Sequence, residues 1–142
     1  MDILKKYAHL LVHYCLEIKK GEKLYITTTT LAEPLLREVY REAIRAGAMV
    51  DYQMTFREQH KIFIAEANDQ QLDYVNPAYQ EMMQTYDAYL VIRAPFNVRE
   101  DQSNAAEKTS RRQAALNIVN QIYSERIADR SLKRCLCQYP TQ

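Results

Sequence analysis

The stretch that decides the fold reads Lys23-Leu-Tyr-Ile-Thr-Thr-Thr-Thr30 and continues through Leu31-Ala-Glu33-Pro34 to Ala46-Gly47. Leu24 to Thr28 is a short apolar and β-branched run, which is typical of a β-strand. Thr30, with Glu33 three residues later, predicts a capping box that starts a helix. Gly47 stands after that helix, at a position where a left-handed residue often ends one. The order strand, helix, strand predicts an α/β architecture.

Hydrophobic spacing predicts the elements on either side of this stretch. Helices are predicted at 2–16, 57–67, 77–86 and between Asn104 and Ala128, and strands at 50–56, 88–92 and from Lys133 onward. Alternation over 50–56 indicates an edge strand, whereas the continuous apolar run 88–92 is typical of a central parallel strand. We therefore expect one domain over residues 1–142, with an open, mostly parallel sheet of about four strands and helices on both faces.

Two of the predicted helices have an apolar stripe that should face the core. The stripe of the first consists of Ile3, Leu4, Tyr7, Leu10, Leu11 and Tyr14, and that of the second consists of Leu35, Leu36, Val39, Tyr40, Ala43 and Ile44. On the exposed side of the second helix, the spacing predicts the ion pairs Glu33/Arg37, Glu38/Arg41 and Glu42/Arg45.

Composition excludes several classes of protein. The 142 residues include 19 basic and 18 acidic side chains, so the formal charge is +1 and no strong field attracts nucleic acid or anionic lipid. No apolar run approaches the roughly 20 residues that span a bilayer. The three cysteines are an odd number, and the charged start Met1-Asp-Ile-Leu-Lys-Lys does not resemble a signal peptide. We expect a cytoplasmic protein without a membrane segment.

His9 and His13 are the first candidate ligands, because two histidines four residues apart on a helix can share a zinc ion. The metalloprotease pattern HExxH fails here, since Leu10 stands where that pattern needs its general-base glutamate. Helical geometry places both rings away from the apolar stripe. We interpret them as two solvent-exposed histidines, and His60 is remote from them in sequence.

Cysteine and threonine residues offer two further candidates. Cys135 and Cys137 share one face of the last predicted strand, but no second pair completes a zinc or redox site, and buried thiols are the simpler interpretation. Thr27 to Thr30 lead into a helix N-terminus, which can hold an anion. A phosphate cradle needs glycines for close backbone approach, and the only glycines are Gly21 and Gly47. A nucleotide-binding site is therefore disfavoured.

Charged residues give one weak candidate for ligand contact. Arg93 and Arg99 flank the loop at the carboxyl end of the predicted central strand, where open α/β sheets bind ligands. The carboxylates Glu66, Asp69, Glu100 and Asp101 lie in polar segments, and Lys108, Arg111 and Arg112 form a basic cluster too small for nucleic acid. From these patterns we assign no catalytic, cofactor-binding or metal-binding residue to this chain.

Several local phrases, in order along the chain, resemble a known family. They are Lys6-Tyr-Ala-His-Leu-Leu-Val12, Lys20-Gly-Glu-Lys23, Arg41-Glu-Ala-Ile-Arg-Ala-Gly-Ala48, Val91-Ile-Arg-Ala-Pro95 and Tyr139-Pro-Thr141. These phrases resemble the amino-terminal domain of the metal-dependent aminopeptidases that include aminopeptidase T, aminopeptidase S and aminopeptidase II, which are thermophilic metalloproteases. Cys15 departs from the family pattern, which has glycine there.

The resemblance implies an enzyme of two domains. In this family an α/β amino-terminal domain precedes a carboxyl-terminal domain whose Glu, His, Tyr and Asp side chains bind two divalent cations, Zn, Co or Mn. No position here matches those ligands, so none is carried over. The resemblance implies that this chain is the non-metal-binding amino-terminal part of an enzyme that removes N-terminal residues from peptides, inactive alone, with a homodimer as a family expectation. The alternative is a free-standing α/β binding or protein-interaction domain without catalysis.

Overall fold

The computed structural model describes residues 2–96 and 106–139. Its helices are α1 (Ile3–Leu10, continued by a π-helical turn, Leu11–Cys15), α2 (Glu33–Arg45, preceded by a 3₁₀ turn, Thr30–Ala32), α3 (Gln59–Glu66), α4 (Asp69–Asp73), α5 (Pro77–Thr85) and α6 (Ala106–Ala128). Its strands are β1 (Lys23–Thr29), β2 (Met49–Thr55), β3 (Ala88–Arg93) and β4 (Lys133–Gln138). No helix in the described part of the chain is long and apolar enough to cross a membrane.

The four strands form one parallel sheet in the order β2-β1-β3-β4. Ile26 of β1 is paired with Tyr52 on one side and Leu90 on the other. The predicted α/β class, the edge position of β2 and the central position of β3 are confirmed. Because the chain moves from β1 to β2 and then back across β1 to β3, right-handed connections place helices on both faces of the sheet.

Each face of the sheet has its own core. On one face, inward side chains of β1 and β3 pack under α1 and α2. The larger buried side chains there include Leu11, Val12, Leu16, Leu24, Ile26, Leu35, Val39, Leu90 and Ile92. On the other face, Tyr25 and Tyr89 pack with Met83 of α5 and Val119 of α6. Ile64, Ala67 and Leu72 form a third, smaller cluster that includes residues of α3 and α4.

The first helix differs from its predicted stripe. Leu11 and Val12 are buried, but Ile3 is 78% exposed, Leu10 47% and Tyr14 70%. The amide of Leu16 donates to the carbonyl of Leu11 at 2.9 Å, five residues back, which is the wider spacing of a π-helical turn. Ile3 and Leu10 precede that turn, so the predicted stripe is wrong before the turn begins, and Ala8, Leu11 and Val12 mark the face that is buried.

The second helix begins later than the sequence predicts, at Glu33, and the 3₁₀ turn before it is capped by the residue that precedes the predicted cap. Thr29, not Thr30, accepts a hydrogen bond from the amide of Leu31, and the residue that caps α2 itself makes no side-chain hydrogen bond. The predicted Thr30/Glu33 capping box is therefore wrong, because a 3₁₀ turn separates the strand from the helix. At the far end Gly47 has a φ of +91°, as the sequence predicts.

The buried face of α2 is narrower than its predicted stripe. Leu35, Leu36, Val39 and Ala43 are buried, whereas Tyr40 is 42% exposed and Ile44 47%. Both exposed side chains line a groove of about 610 Å³ between α2 and the edge strand, together with Leu36, Tyr52 and Met54. On the solvent side, the pairs Arg37–Glu33 (3.7 Å) and Arg41–Glu38 (3.4 Å) are confirmed.

Candidate functional site

The carboxyl edge of the sheet is the first place to look for a ligand site in this fold. β1 and β2 end at Thr29 and Thr55, and β3 and β4 end at Arg93 and Gln138. The order β2-β1-β3-β4 reverses direction between β1 and β3, which is the topological switch point where open α/β sheets bind ligands.

The threonine hydroxyls at this edge are engaged with the protein itself. Thr28 donates its hydroxyl to the carbonyl of Ile92 at 2.8 Å, and Thr29 donates to that of Ala94 at 2.6 Å. The Thr27 hydroxyl lies 3.0 Å from the phenol oxygen of Tyr89. These three threonines therefore fasten β1 to β3 instead of forming an anion cradle.

A cation and an aromatic ring also lie at this edge. The guanidinium of Arg57 lies over the ring of Phe96, 4.8 Å from its centroid. Arg93 is exposed, and its carbonyl accepts the amide of Tyr139 at 2.9 Å. Arg99 belongs to the loop that lies outside the described residues, as do Glu100 and Asp101.

The basic cluster on α6 has a structural role. Arg111 binds both carboxylate oxygens of Asp73 at 2.8 and 2.7 Å and approaches Asp69 at 3.2 Å. The hydrogen bond from Arg111 lowers the pKa of Asp73 below its usual value. Lys108 donates to the carbonyl of Ala65 at 3.2 Å. Two of these cations thus tie α6 to α3 and α4, and Glu66 is an exposed carboxylate.

The three cysteines lie near one another, with Cys15 from the π-helical turn beside β4. Burial, followed by the nearby Cys15 thiol, raises the pKa of Cys135 to about 11. Burial also raises the pKa of the Cys137 thiol. Because the thiolate is the nucleophile, these raised pKa values disfavour redox chemistry at β4. The interpretation of Cys137 as a small buried side chain is supported by its 8% exposure.

His9 and His13 are exposed as predicted, yet they face a third residue that the sequence did not indicate. Glu42 of α2 approaches the Nδ1 of His9 at 3.7 Å with one carboxylate oxygen and the Nε2 of His13 at 3.2 Å with the other. The donor atoms of these three side chains all lie within 4.8 Å of one another. The sequence predicts Arg45 as the partner of Glu42. Spacing along one helix cannot reveal a contact with a residue of another helix, so the two histidines were missed.

This group does not fit a hydrolytic centre of two cations. Over residues 2–96 and 106–139, His9, His13 and Glu42 are the one group of three or more His, Cys, Asp and Glu side chains close enough to hold a metal ion. Two metal ions that clamp both the attacking and the leaving oxygen need a larger convergent set of ligands. His60, at the start of α3, is not part of the group. The described residues therefore supply no hydrolytic metal pair.

Comparison with known proteins gives the following matches. The family model Peptidase_M29, described as thermophilic metalloprotease (M29), matches residues 1–142. A search of the curated proteins found no match. Among solved structures, wild-type AmpT from Thermus thermophilus is similar with a TM-score of 0.79 at 20% sequence identity. The similarity covers 97% of this chain and 36% of the AmpT chain, so the chain spans little more than a third of that structure. At this identity the likeness establishes the fold.

Proposed function

The chain belongs to the thermophilic metalloprotease (M29) family, and we propose that it serves as the amino-terminal α/β domain of a longer, metal-dependent aminopeptidase. One observation carries this proposal. Nearly the whole chain superimposes on 36% of a much longer structure, while its described residues hold a single group of three possible metal ligands. The family activity then depends on ligands from other polypeptide.

For peptide hydrolysis by two metal ions, that other polypeptide must supply the ligands of both cations. One cation generates a hydroxide at neutral pH, and a second stabilises the negative charge that develops on the carbonyl oxygen. We place both divalent cations, Zn, Co or Mn, in a carboxyl-terminal domain outside residues 1–142. The peptide substrate would bind there, with its N-terminal residue at the metal pair.

The role of this chain would be to position that domain, wall its substrate cleft or support a subunit interface. The carboxyl edge of the sheet suits such a contact, because Arg93 is exposed there and Arg57 stacks on Phe96. The threonine hydroxyls that bind Ile92 and Ala94 make this edge rigid. A preorganised edge loses less conformational entropy when it binds a neighbouring domain.

The test compares this chain with a version extended by its native downstream sequence. Both are assayed on amino-acid anilides with Co²⁺, Zn²⁺ or Mn²⁺, and we expect turnover by the extended form alone. The extended form carrying His9→Ala, His13→Ala and His60→Ala is the matched control and should keep its activity. Turnover by the short chain that survives the same three substitutions would contradict the proposal.

A free-standing binding domain is the second candidate. The groove between α2 and β2 favours it, because Tyr40, Ile44 and Tyr52 are each about half exposed there. Exposed apolar surface of this kind is typical of a protein-binding site. An inactive extended form, together with a gene that ends after Gln142, would favour this candidate over the aminopeptidase domain.

A further inference from the structure

We propose that His9, His13 and Glu42 bind one divalent transition-metal ion of the zinc class between α1 and α2. The two histidines belong to the first helix and its π-helical turn, and the glutamate belongs to the helix packed beside it. Such an ion would link the two helices that cover one face of the sheet.

The two imidazoles already lie side by side. Their ring centroids are 4.4 Å apart, and the rings are tilted by 44°. His13 lies within the π-helical turn Leu11–Cys15, and turns of this kind occur frequently at functional sites in helices. Asp2 caps α1, and Ala8 and Leu11 are buried against the rest of the fold. The backbone positions of His9 and His13 are therefore held in place.

The carboxylate of Glu42 is placed to bridge both rings. One of its oxygens approaches His9 at 3.7 Å and the other approaches His13 at 3.2 Å, and its side chain is only 22% exposed. Zinc binds imidazole nitrogen at about 2.0–2.1 Å, so tetrahedral ligand atoms lie roughly 3.3 Å apart. The present separations, up to 4.8 Å, can close by rotation of side chains that are 49% and 36% exposed at His9 and His13.

The donor set selects the kind of ion. Two neutral nitrogens and one carboxylate suit Zn²⁺, Ni²⁺, Co²⁺ or Cu²⁺, whereas Mg²⁺ and Ca²⁺ prefer all-oxygen sites. Lys5, Arg41 and Arg45 line the depression next to Glu42, together with Glu38. These positive side chains lower the affinity of Glu42 for any cation that is bound by charge alone. An ion that also forms bonds to the imidazole nitrogens is therefore favoured. A fourth position would stay open to water.

This site is independent of the aminopeptidase proposal. It has three ligands and lies on the surface. Its two helices cover one face of the sheet, and the tyrosine core, formed by Tyr25 with Tyr79, Tyr86 and Tyr89, lies on the other face. Loss of activity in the extended enzyme and loss of metal from this site would therefore be separate results.

Isothermal titration of the chelator-stripped chain with Zn²⁺ tests the site. We expect one ion per chain, and a loss of affinity in His13→Ala or Glu42→Gln that exceeds the roughly 10- to 100-fold typical of removing an outer-shell partner. His60→Ala is the matched control and should bind as the parent does. A combined Cys15→Ser and Cys135→Ser variant, which should also bind normally, separates this site from the neighbouring thiols.

Two further measurements complete the test. Thermal unfolding without metal shows whether each variant is folded, and Zn²⁺ should raise the melting temperature of the parent but not of Glu42→Gln. The Co²⁺-loaded chain should show no intense thiolate charge-transfer band. The proposal would be overturned by the absence of saturable binding, by unchanged affinity in His13→Ala and Glu42→Gln, or by loss of binding in the cysteine variant.

Discussion

Arg112 of α6 forms hydrogen bonds with backbone carbonyls at the end of α4. Arg112 donates to the carbonyls of Leu72 and Tyr74 and lies over the ring of Phe63 at 5.1 Å. The sequence shows Arg112 only as part of a small basic cluster, whereas in the structure its guanidinium caps the end of α4. Carbonyls at a helix end have no partner within the helix, and charged donors satisfy them well.

Replacing this arginine should therefore destabilise the fold. We expect Arg112→Met to lower the free energy of unfolding by about 1–3 kcal/mol, since it removes a charged donor from two carbonyls but keeps an apolar stem. Urea denaturation measures the change. Arg37→Met is the matched control, because Arg37 is 69% exposed and forms only a surface pair with Glu33, worth less than about 0.5 kcal/mol. Equal losses in the two variants would contradict the capping role.

At the scale of elements, strands were easier to predict than the faces of helices. Ala88 to Ile92 is continuously apolar, as expected of a strand covered on both faces, and β3 indeed lies between β1 and β4. The predicted stripe of α1 is wrong at Ile3, Leu10 and Tyr14, because the spacing of apolar residues alone did not show which side of the helix packs on the sheet. The contact of Glu42 with the histidines could not be predicted either, since it joins two elements whose packing angle the sequence does not give.

The junction after α2 gives a prediction for this scale. The amide of Gly47 donates to the carbonyl of Ile44, and that of Ala48 donates to Ala43, both at 3.0 Å, which is a Schellman motif. A Cβ at Gly47 would lie 2.8 Å from Cγ of Lys20 and 3.2 Å from its Cα. Gly47→Ala should thus combine backbone strain with a steric clash against a neighbouring loop.

Gly21 provides the comparison, because its φ is +85° but a Cβ there would meet no atom within 4 Å. We expect Gly21→Ala to cost about 1–2 kcal/mol of unfolding free energy through left-handed strain alone. Gly47→Ala should cost more, and Lys20→Ala in that background should restore part of the loss. If both glycine variants unfold at the same urea concentration, the contact with Lys20 makes no measurable contribution to the free energy of unfolding.

For the whole molecule, the tyrosine core predicts how stability depends on pH. Burial raises the pKa of Tyr79 to about 12, and a hydrogen bond to Asp51 raises that of Tyr86 to about 12. Burial also raises the pKa values of Tyr25 and Tyr89. An unfolded tyrosine loses its proton near pH 10. The folded chain therefore binds more protons above that pH, and its stability falls as the pH rises from about 10 to 12.

The urea midpoint should begin to decline above about pH 8.5, where the raised pKa values of the Cys135 and Cys137 thiols first matter. It should decline further above about pH 10 as the phenols ionise, by no more than about 1.4 kcal/mol of unfolding free energy per pH unit for each group. Tyr79→Phe should make the decline less steep, because it removes one of the groups whose pKa is raised. Tyr14→Phe is the control, since Tyr14 is 70% exposed on the opposite side of the sheet. Because the four phenols surround one sheet face between α5 and α6, tyrosinate absorbance should rise together with unfolding. Full ionisation of these tyrosines in a chain that stays folded at pH 11 would show that the core on this face tolerates charge.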